Sequence, residues 1–385
     1  MIIELVLALI SLWLFYELYW KRRNLPPGPT PLPFIGNLHT LIRHEPGYTA
    51  YEMWRRKYGP VYTFWMGPHP FVMISDYPTL KETFVKDGDA YTGKFQLEEV
   101  TTIYRGGNYG IIELSGERWR DQRRFVLHVL KDLGLGKNGM EQRVRINHWQ
   151  KLKILMEVEA MTDVLEAQQG KEVNIQDVFD VAIGSVINQL LFGYRFDEKH
   201  LDEFRELKTL ISKQMRDGAH PAVSMFFLYP WLAAFPYFNT VAKMMLSYRD
   251  AFFSFFDRQI AEHKKVINYD TNEANDYVEA FLKEQRRREA EGDKESFSHV
   301  QLTNVCLDMW FAGMETTSNT LSWGAVYLLN YPDVQDKMHE ELDRVIGSNR
   351  AITMADKNNL PYVNAVINIF SYYKTEDIAF QKASR

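Results

Sequence analysis

Cysteine is nearly missing from this chain. Cys306 stands alone among 385 residues, so neither an internal disulfide nor a cysteine-built zinc site is available, and a cytosol-facing body is the natural reading. Excess charge of one sign is missing too. With 45 basic against 50 acidic side chains the net charge is -5, which excludes the basic surplus expected of a nucleic-acid binder. No internal repeat is visible. What remains is apolar and aromatic: 46% hydrophobic and 14% aromatic residues are enough for a large packed core and argue against disorder.

The one long hydrophobic run lies at the start. Ile2 to Trp20 is broken only by Glu4, Ser11 and Glu17, and Lys21-Arg22-Arg23 follows at once. A secretory signal puts its basic residues before the apolar stretch and small residues at a cleavage site; this order is reversed, so residues 1–20 read as a membrane anchor with the basic flank in the cytosol. Residues 21–37 then form a basic, proline-rich hinge. Pro26, Pro27, Pro29, Pro31 and Pro33 remove amide donors and force extended backbone, which predicts a stiff spacer ahead of the globular body.

The body, residues 38–368, reads as α+β and mostly α. Val61–Trp65 and Phe71–Ile74 flank Gly67-Pro68 as a two-stranded hairpin. Helical patterns follow at Ile175–Leu191, Ser247–Lys264, Asp276–Ala290 and Pro332–Val345. On the last of these, Lys337 with Glu341 and Glu340 with Arg344 are spaced to pair one turn apart. The longest helix runs from a Ser298 cap to Asn330, before Tyr331-Pro332, and spans roughly 50 Å. At its centre Phe311-Ala-Gly-Met-Glu-Thr-Thr317 combines a glycine, a carboxylate and two hydroxyls. That combination predicts a helix locally opened there. A second motif, Ser115 to Arg124, puts Trp119 and Arg123 on one helical face, an indole donor and a guanidinium suited to a carboxylate. Met225 to Phe238 is intensely apolar, but Pro230 and Pro236 prevent it from spanning a bilayer as a helix.

The central heptapeptide resembles the Ala/Gly-Gly-x-Asp/Glu-Thr-Thr/Ser run of the cytochrome P-450 family, the heme-thiolate monooxygenases. Leu25 to Asn37 is similar to the hinge of its microsomal members. The resemblance extends from about Leu25 to Asn368. It implies a cytochrome P-450 fold and heme as cofactor, with Ala312 and Gly313 letting oxygen and substrate approach. Glu315 and Thr316 are implied as the catalytic pair, Thr316 holding a water or oxygen and Glu315 feeding protons toward it. Trp119 and Arg123 are implied to grip a heme propionate. The basic side chains Arg118, Arg120 and Arg124 are implied to meet an NADPH-dependent flavoprotein reductase. Gly106 to Gly110 corresponds to a substrate-contacting loop, and Met225 to Phe238 to a segment that dips into the membrane and admits lipophilic substrates. The implied location is the endoplasmic reticulum membrane.

After Asn368 the sequence departs from the family pattern. The Glu-x-x-Arg pair does not follow, and the Phe-x-x-Gly-x-Arg-x-Cys-x-Gly loop that ligates the iron is not found, so residues 369–385 read as a divergent tail. Cys306, ten residues before Thr316 on the same helix, reads as a small buried hydrophobe, and no residue is assigned as a metal ligand. The expectation for the chain as written is a truncated, inactive monooxygenase. The alternative is a heme-free, membrane-anchored protein that binds reductase or full-length relatives.

Overall fold

A computed structural model describes residues 1–44, 47–133, 148–271, 273–347, 350 and 352–372. The tail from 373 to 385 lies outside the described residues, and Ile369 to Tyr372 complete a helix. In chain order the main elements are α1 (Ile2–Leu18), α2 (Tyr48–Tyr58), β1 (Val61–Met66), β2 (His69–Ile74), α3 (Gly116–Asp132), α4 (Ile175–Phe192), α5 (Leu201–Gly218), α6 (Pro236–Lys264), α7 (Tyr277–Ala290), α8 (His299–Asn330), α9 (Pro332–Val345) and α10 (Pro361–Tyr372). The architecture is mostly helical with one small antiparallel hairpin, as the sequence predicts. The chain divides into two compact units, Met1–Asp121 with Leu210–Ala251, and Gln122–Thr209 with Phe252–Arg385.

In the first unit β1 and β2 pair from Val61 opposite Ile74 to Met66 opposite His69, joined by Gly67-Pro68. β1 is buried on both faces. One face meets α2, where Trp54 stacks on Phe64 with ring centroids 5.6 Å apart. Along the strand runs the proline-rich segment. Pro27 O accepts from the Thr63 N–H at 3.0 Å, the Asn37 N–H donates to Trp65 O at 2.7 Å, and Asn37 Oδ1 accepts from the Trp65 N–H at 2.8 Å. Residues 27–37 are therefore strapped onto β1 and are not a free spacer. Gly28 is required there: a Cβ would stand 1.8 Å from Thr63 O. α1 is predominantly apolar and largely exposed, a candidate membrane span. α4 passes the same length and composition test, yet nearly half of it is buried in protein.

In the second unit α8 is the axis. Ser298 caps it through the Gln301 N–H, and Leu302, Val305, Cys306, Trp310 and Met314 are buried. It packs chiefly on α4, whose cap is Asn174. α6 begins at Pro236, earlier than the expected Ser247; its first turns, to Ala251, belong to the first unit, where Val241, Ala242 and Met245 are buried. Two local expectations need correction. α8 is hydrogen-bonded without interruption from His299 to Asn330, so the opening at Gly313 does not occur. And the Glu341 carboxylate does not meet Lys337. It is buried and accepts from the Tyr362 and Val363 N–H groups at 3.2 and 2.9 Å, because an anion is better stabilised at the unsatisfied start of α10 than on a solvated helix face.

Candidate functional site

The centre of α8 explains itself residue by residue. Gly313 faces α4: a Cβ at this position would stand 2.8 Å from Ile187 Cδ1, so the missing side chain is what lets the two helices approach. Ala312, Thr316 and Thr320, spaced at i, i+4 and i+8, share an exposed stripe. The Thr316 hydroxyl donates to Ala312 O at 2.6 Å and the Thr320 hydroxyl to Thr316 O at 2.8 Å. With their protons committed inside the helix, these hydroxyls leave a smooth ridge of small side chains. Each oxygen keeps a lone pair able to accept from a water.

Glu315 points elsewhere. Consecutive helical residues diverge by about 100°, and the Glu315 carboxylate turns toward α5, where Lys208 Nζ lies 2.7 Å from Oε1. The same ammonium lies 3.1 Å from Asp180 Oδ2 on α4. Asp180 also accepts from the Ser318 hydroxyl and, at 2.9 Å, from Gln176 Nε2. Gln176 Nε2 is within 2.8 Å of Ser318 Oγ as well. One cation and two carboxylates, joined by two neutral polar groups, thus tie three helices together in a largely buried cluster. Burial of the Lys208 ammonium works against its charge, but the hydrogen bonds it donates to Glu315 and Asp180 outweigh it, and its pKa ends above the usual lysine value. Among the described residues no hydrogen bond joins Glu315 to Thr316.

α3 carries Trp119 and Arg123 one turn apart, the indole half-buried and the guanidinium exposed. Within the first unit Lys94 is the close neighbour of Trp119: its Nζ is 5.0 Å from the ring centroid and donates to Ile111 O at 2.6 Å, while its N–H donates to Ser115 Oγ at 3.2 Å. The Gly106–Gly110 stretch is irregular, with three of its glycines at positive φ. The apolar stretch Met225 to Phe238 divides. Phe226 and Leu228 are core, whereas Trp231, Phe235 and Tyr237 face outward.

Sequence reasoning missed Lys94, Lys208 and Asp180. Asp180 alone carried a signal, being an acid inside the apolar run Ile175 to Phe192. Cys306 is fully buried on α8, and burial pushes its thiol well above the usual range, so it stays protonated.

Compared with known proteins, residues 26–368 match the family model for cytochrome P450. The chain is 34% identical over 374 residues to cytochrome P450 2C23 of Rattus norvegicus, covering 96% of this chain and 70% of that protein. To a probable cytochrome P450, CYP36A1, of Caenorhabditis elegans it is 32% identical over 368 residues, covering 94% and 71%. To cytochrome P450 2A9 of Mesocricetus auratus it is 29% identical over 371 residues, covering 96% and 71%.

Proposed function

The chain belongs to the cytochrome P450 family, and from that premise we propose that it serves the oxidation of lipophilic small molecules at a membrane surface, with electrons from an NADPH-dependent reductase. The family is one of heme monooxygenases; heme, when bound, supplies the iron at which dioxygen is activated for insertion into a C–H bond. The observation that carries the reading is the exposed ridge Ala312, Thr316 and Thr320, which begins where the buried first half of α8 ends and offers small side chains that a flat, apolar group fits.

Each unit carries residues whose chemistry suits such a group. Trp119 and Arg123 on α3 would hold its carboxylates by charge-assisted hydrogen bonds, and Lys94 adds a cation beside Trp119. Ala312 leaves room for oxygen and substrate over the ridge. Thr316 Oγ1 would accept from a water there, and Glu315 is the nearest carboxylate along the helix, able to take up a proton from water and pass it on once Lys208 releases it. Cys306 does not fit as the thiolate that would bind the iron, because burial holds its thiol protonated. α1 and its Lys21-Arg22-Arg23 flank support localisation to the endoplasmic reticulum membrane with the body in the cytosol.

A second reading makes the chain a heme-free, membrane-anchored protein that binds reductase or full-length relatives. Absorbance of the purified chain after expression with heme precursor separates the two. A Soret band weakened by Arg123→Ala, Trp119→Phe and Lys94→Met supports the heme reading, and its absence at full loading refutes it. A thiolate-type band with carbon monoxide, lost on Cys306→Ser, would overturn the exclusion of Cys306.

A further inference from the structure

Phe34 is the one residue besides glycine, among those described, whose backbone occupies the left-handed region, at φ +63°. A bulky side chain is seldom found there unless its surroundings hold it. The residue is 64% exposed, which is a second anomaly for a phenylalanine. Two contacts account for both. The ring lies against Trp13 of α1, centroids 5.5 Å apart, and the Phe34 carbonyl accepts a hydrogen bond from the Tyr229 hydroxyl. The aromatic line continues outward from Tyr229 to Trp231 and from Trp231 to Phe235, each step 6.2 Å between centroids.

A second tie sits at the end of α1. Glu17, the charge that interrupts the apolar run, is paired with Lys21, and the Lys21 ammonium lies 4.3 Å from the centre of the Trp65 ring on β1. Lys21 is held closely, with 12% of its side chain exposed. Arg22 Nη2 donates to Gly28 O at 3.0 Å, and Nη1 reaches back to Leu18 O at 3.2 Å. Since residues 27–37 are themselves bonded to β1, the exit of α1 is tied to the hairpin at both ends of the elbow.

We propose that Glu17 to Phe34 form a clasp and not a swivel, fixing α1 at one angle to β1–β2 and setting Phe34 at the lipid surface that α1 enters. The inference rests on reading α1 as a membrane span. Trp13 precedes the end of α1 by five residues, which is roughly 8 Å of rise. Phe34, in contact with it, lies at the depth where aromatic side chains partition between headgroups and acyl chains. The basic residues mark the headgroup level, and Arg23 stacks 4.2 Å from the Trp20 ring centre there. Continuity of the aromatic line with the span identifies the occupant as a bilayer. A flexible spacer would let the body roll over the membrane; a clasp gives it one orientation.

The test uses the full chain in phosphatidylcholine vesicles, with the buried Cys306 left in place. Spin labels at Leu9→Cys and Val72→Cys, two exposed positions on either side of the elbow, report the angle by pulsed electron resonance. A single narrow distance distribution is expected, broadening at least twofold in Lys21→Ala and in Phe34→Gly. The glycine variant keeps the backbone conformation and relieves its strain, so the melting temperature of the body is expected to hold or rise. A native distribution as broad as the variants', or variants as narrow as native, overturns the clasp. An environment-sensitive fluorophore at Phe34→Cys is expected to shift to the blue on vesicle binding. Flotation without that shift overturns the lipid placement. Failure to float refutes the reading of α1 as a span, and the distance distributions in detergent micelles then still decide the clasp.

Discussion

Lys208 Nζ stands 2.7 Å from Glu315 Oε1 and 3.1 Å from Asp180 Oδ2, so a single cation on α5 serves carboxylates on α8 and α4. Glu315, the expected proton donor, is thereby a member of a structural cluster. Any proton delivery from it competes with an ion pair that the fold uses.

Removing the cation leaves two carboxylates facing one another with only Ser318 and Gln176 to moderate them. Lys208→Met is expected to destabilise the second unit by about 2 kcal/mol, below the range for fully buried pairs because the ammonium keeps some solvent contact. Glu315→Gln, which keeps a hydrogen-bond acceptor for Lys208, is expected to cost less. The pH dependence has a definite sign. The folded pKa of Lys208 is raised above its ordinary value of 10.5, so its contribution is complete below pH 10.5 and fades as pH rises through the folded pKa. Denaturant titrations of native and Lys208→Met protein from pH 7 to 11 are expected to run parallel at first and converge at the top. Parallel curves throughout would refute the ion-pair account.

Gly313→Ala sets helix propensity against packing. Alanine favours the helix by roughly 1 kcal/mol, but its methyl group would stand 2.8 Å from Ile187 Cδ1, and overpacking of this kind costs about 1–3 kcal/mol. Net destabilisation is expected. Ile187→Val, which deletes that Cδ1, is expected to recover most of the loss in the double mutant. Failure of the double mutant to recover would place the cause of Gly313 outside its contact with α4.

His263 on α6 lies 2.9 Å from Asp276 Oδ2, while Asp276 Oδ1 caps α7 through the Glu279 N–H. Burial opposes the imidazolium charge, but the bond and charge of Asp276, helped by Glu279, prevail and raise its pKa above 6.5. The contribution is fully present below pH 6.5 and is lost as pH rises through the folded pKa. Melting temperatures recorded from pH 6 to pH 8.5 are expected to fall in the native protein and to flatten in His263→Gln. The variant is expected to lose the ion pair with Asp276, about 1 kcal/mol, at the acid end. An equal slope in both proteins would show that His263 does not titrate as described.

Deleting residues 1–24 removes α1 together with its basic flank. Membrane association is expected to weaken without vanishing, because Trp231, Phe235 and Tyr237 remain exposed on the first unit. Adding Trp231→Ala and Phe235→Ala is expected to release the protein into the supernatant of an alkaline wash. Full retention of the triple variant in the pellet would remove both segments from the account of membrane binding.

Local chemistry decided most of the element boundaries, which is why they were legible before any coordinates. Ser298 accepts from the amide three residues on and starts α8; Asp276 does the same for α7; Pro332 can only begin a helix, so α8 ends before it and α9 follows. Gly67-Pro68 turned β1 into β2 between two runs of aromatic and β-branched residues. The apolar run of α1 and its basic flank, and the residues of the central heptapeptide, were likewise plain in the sequence.

Partner choice was not. Pro26 to Asn37 looked like a spacer because prolines forbid a helix, but nothing local reveals that Gly28 is bare to let Thr63 approach. Glu341 had Lys337 one turn away, and took instead two amides at the start of α10, where folding had left donors unpaired. The opening of α8 at Gly313 failed for the same reason. A glycine and a back-bonded threonine weaken a helix in isolation, whereas packing on Ile187 rewards a continuous one. Lys208, Asp180 and Glu315 are far apart in the chain and meet only because three helices cross at their side chains. Sequence by itself determined where helices and strands begin and end, because caps, prolines and turns act over a few residues. Tertiary structure alone decided which charges face one another and which glycines are contacts, because those depend on helix crossings that no short stretch of chain encodes.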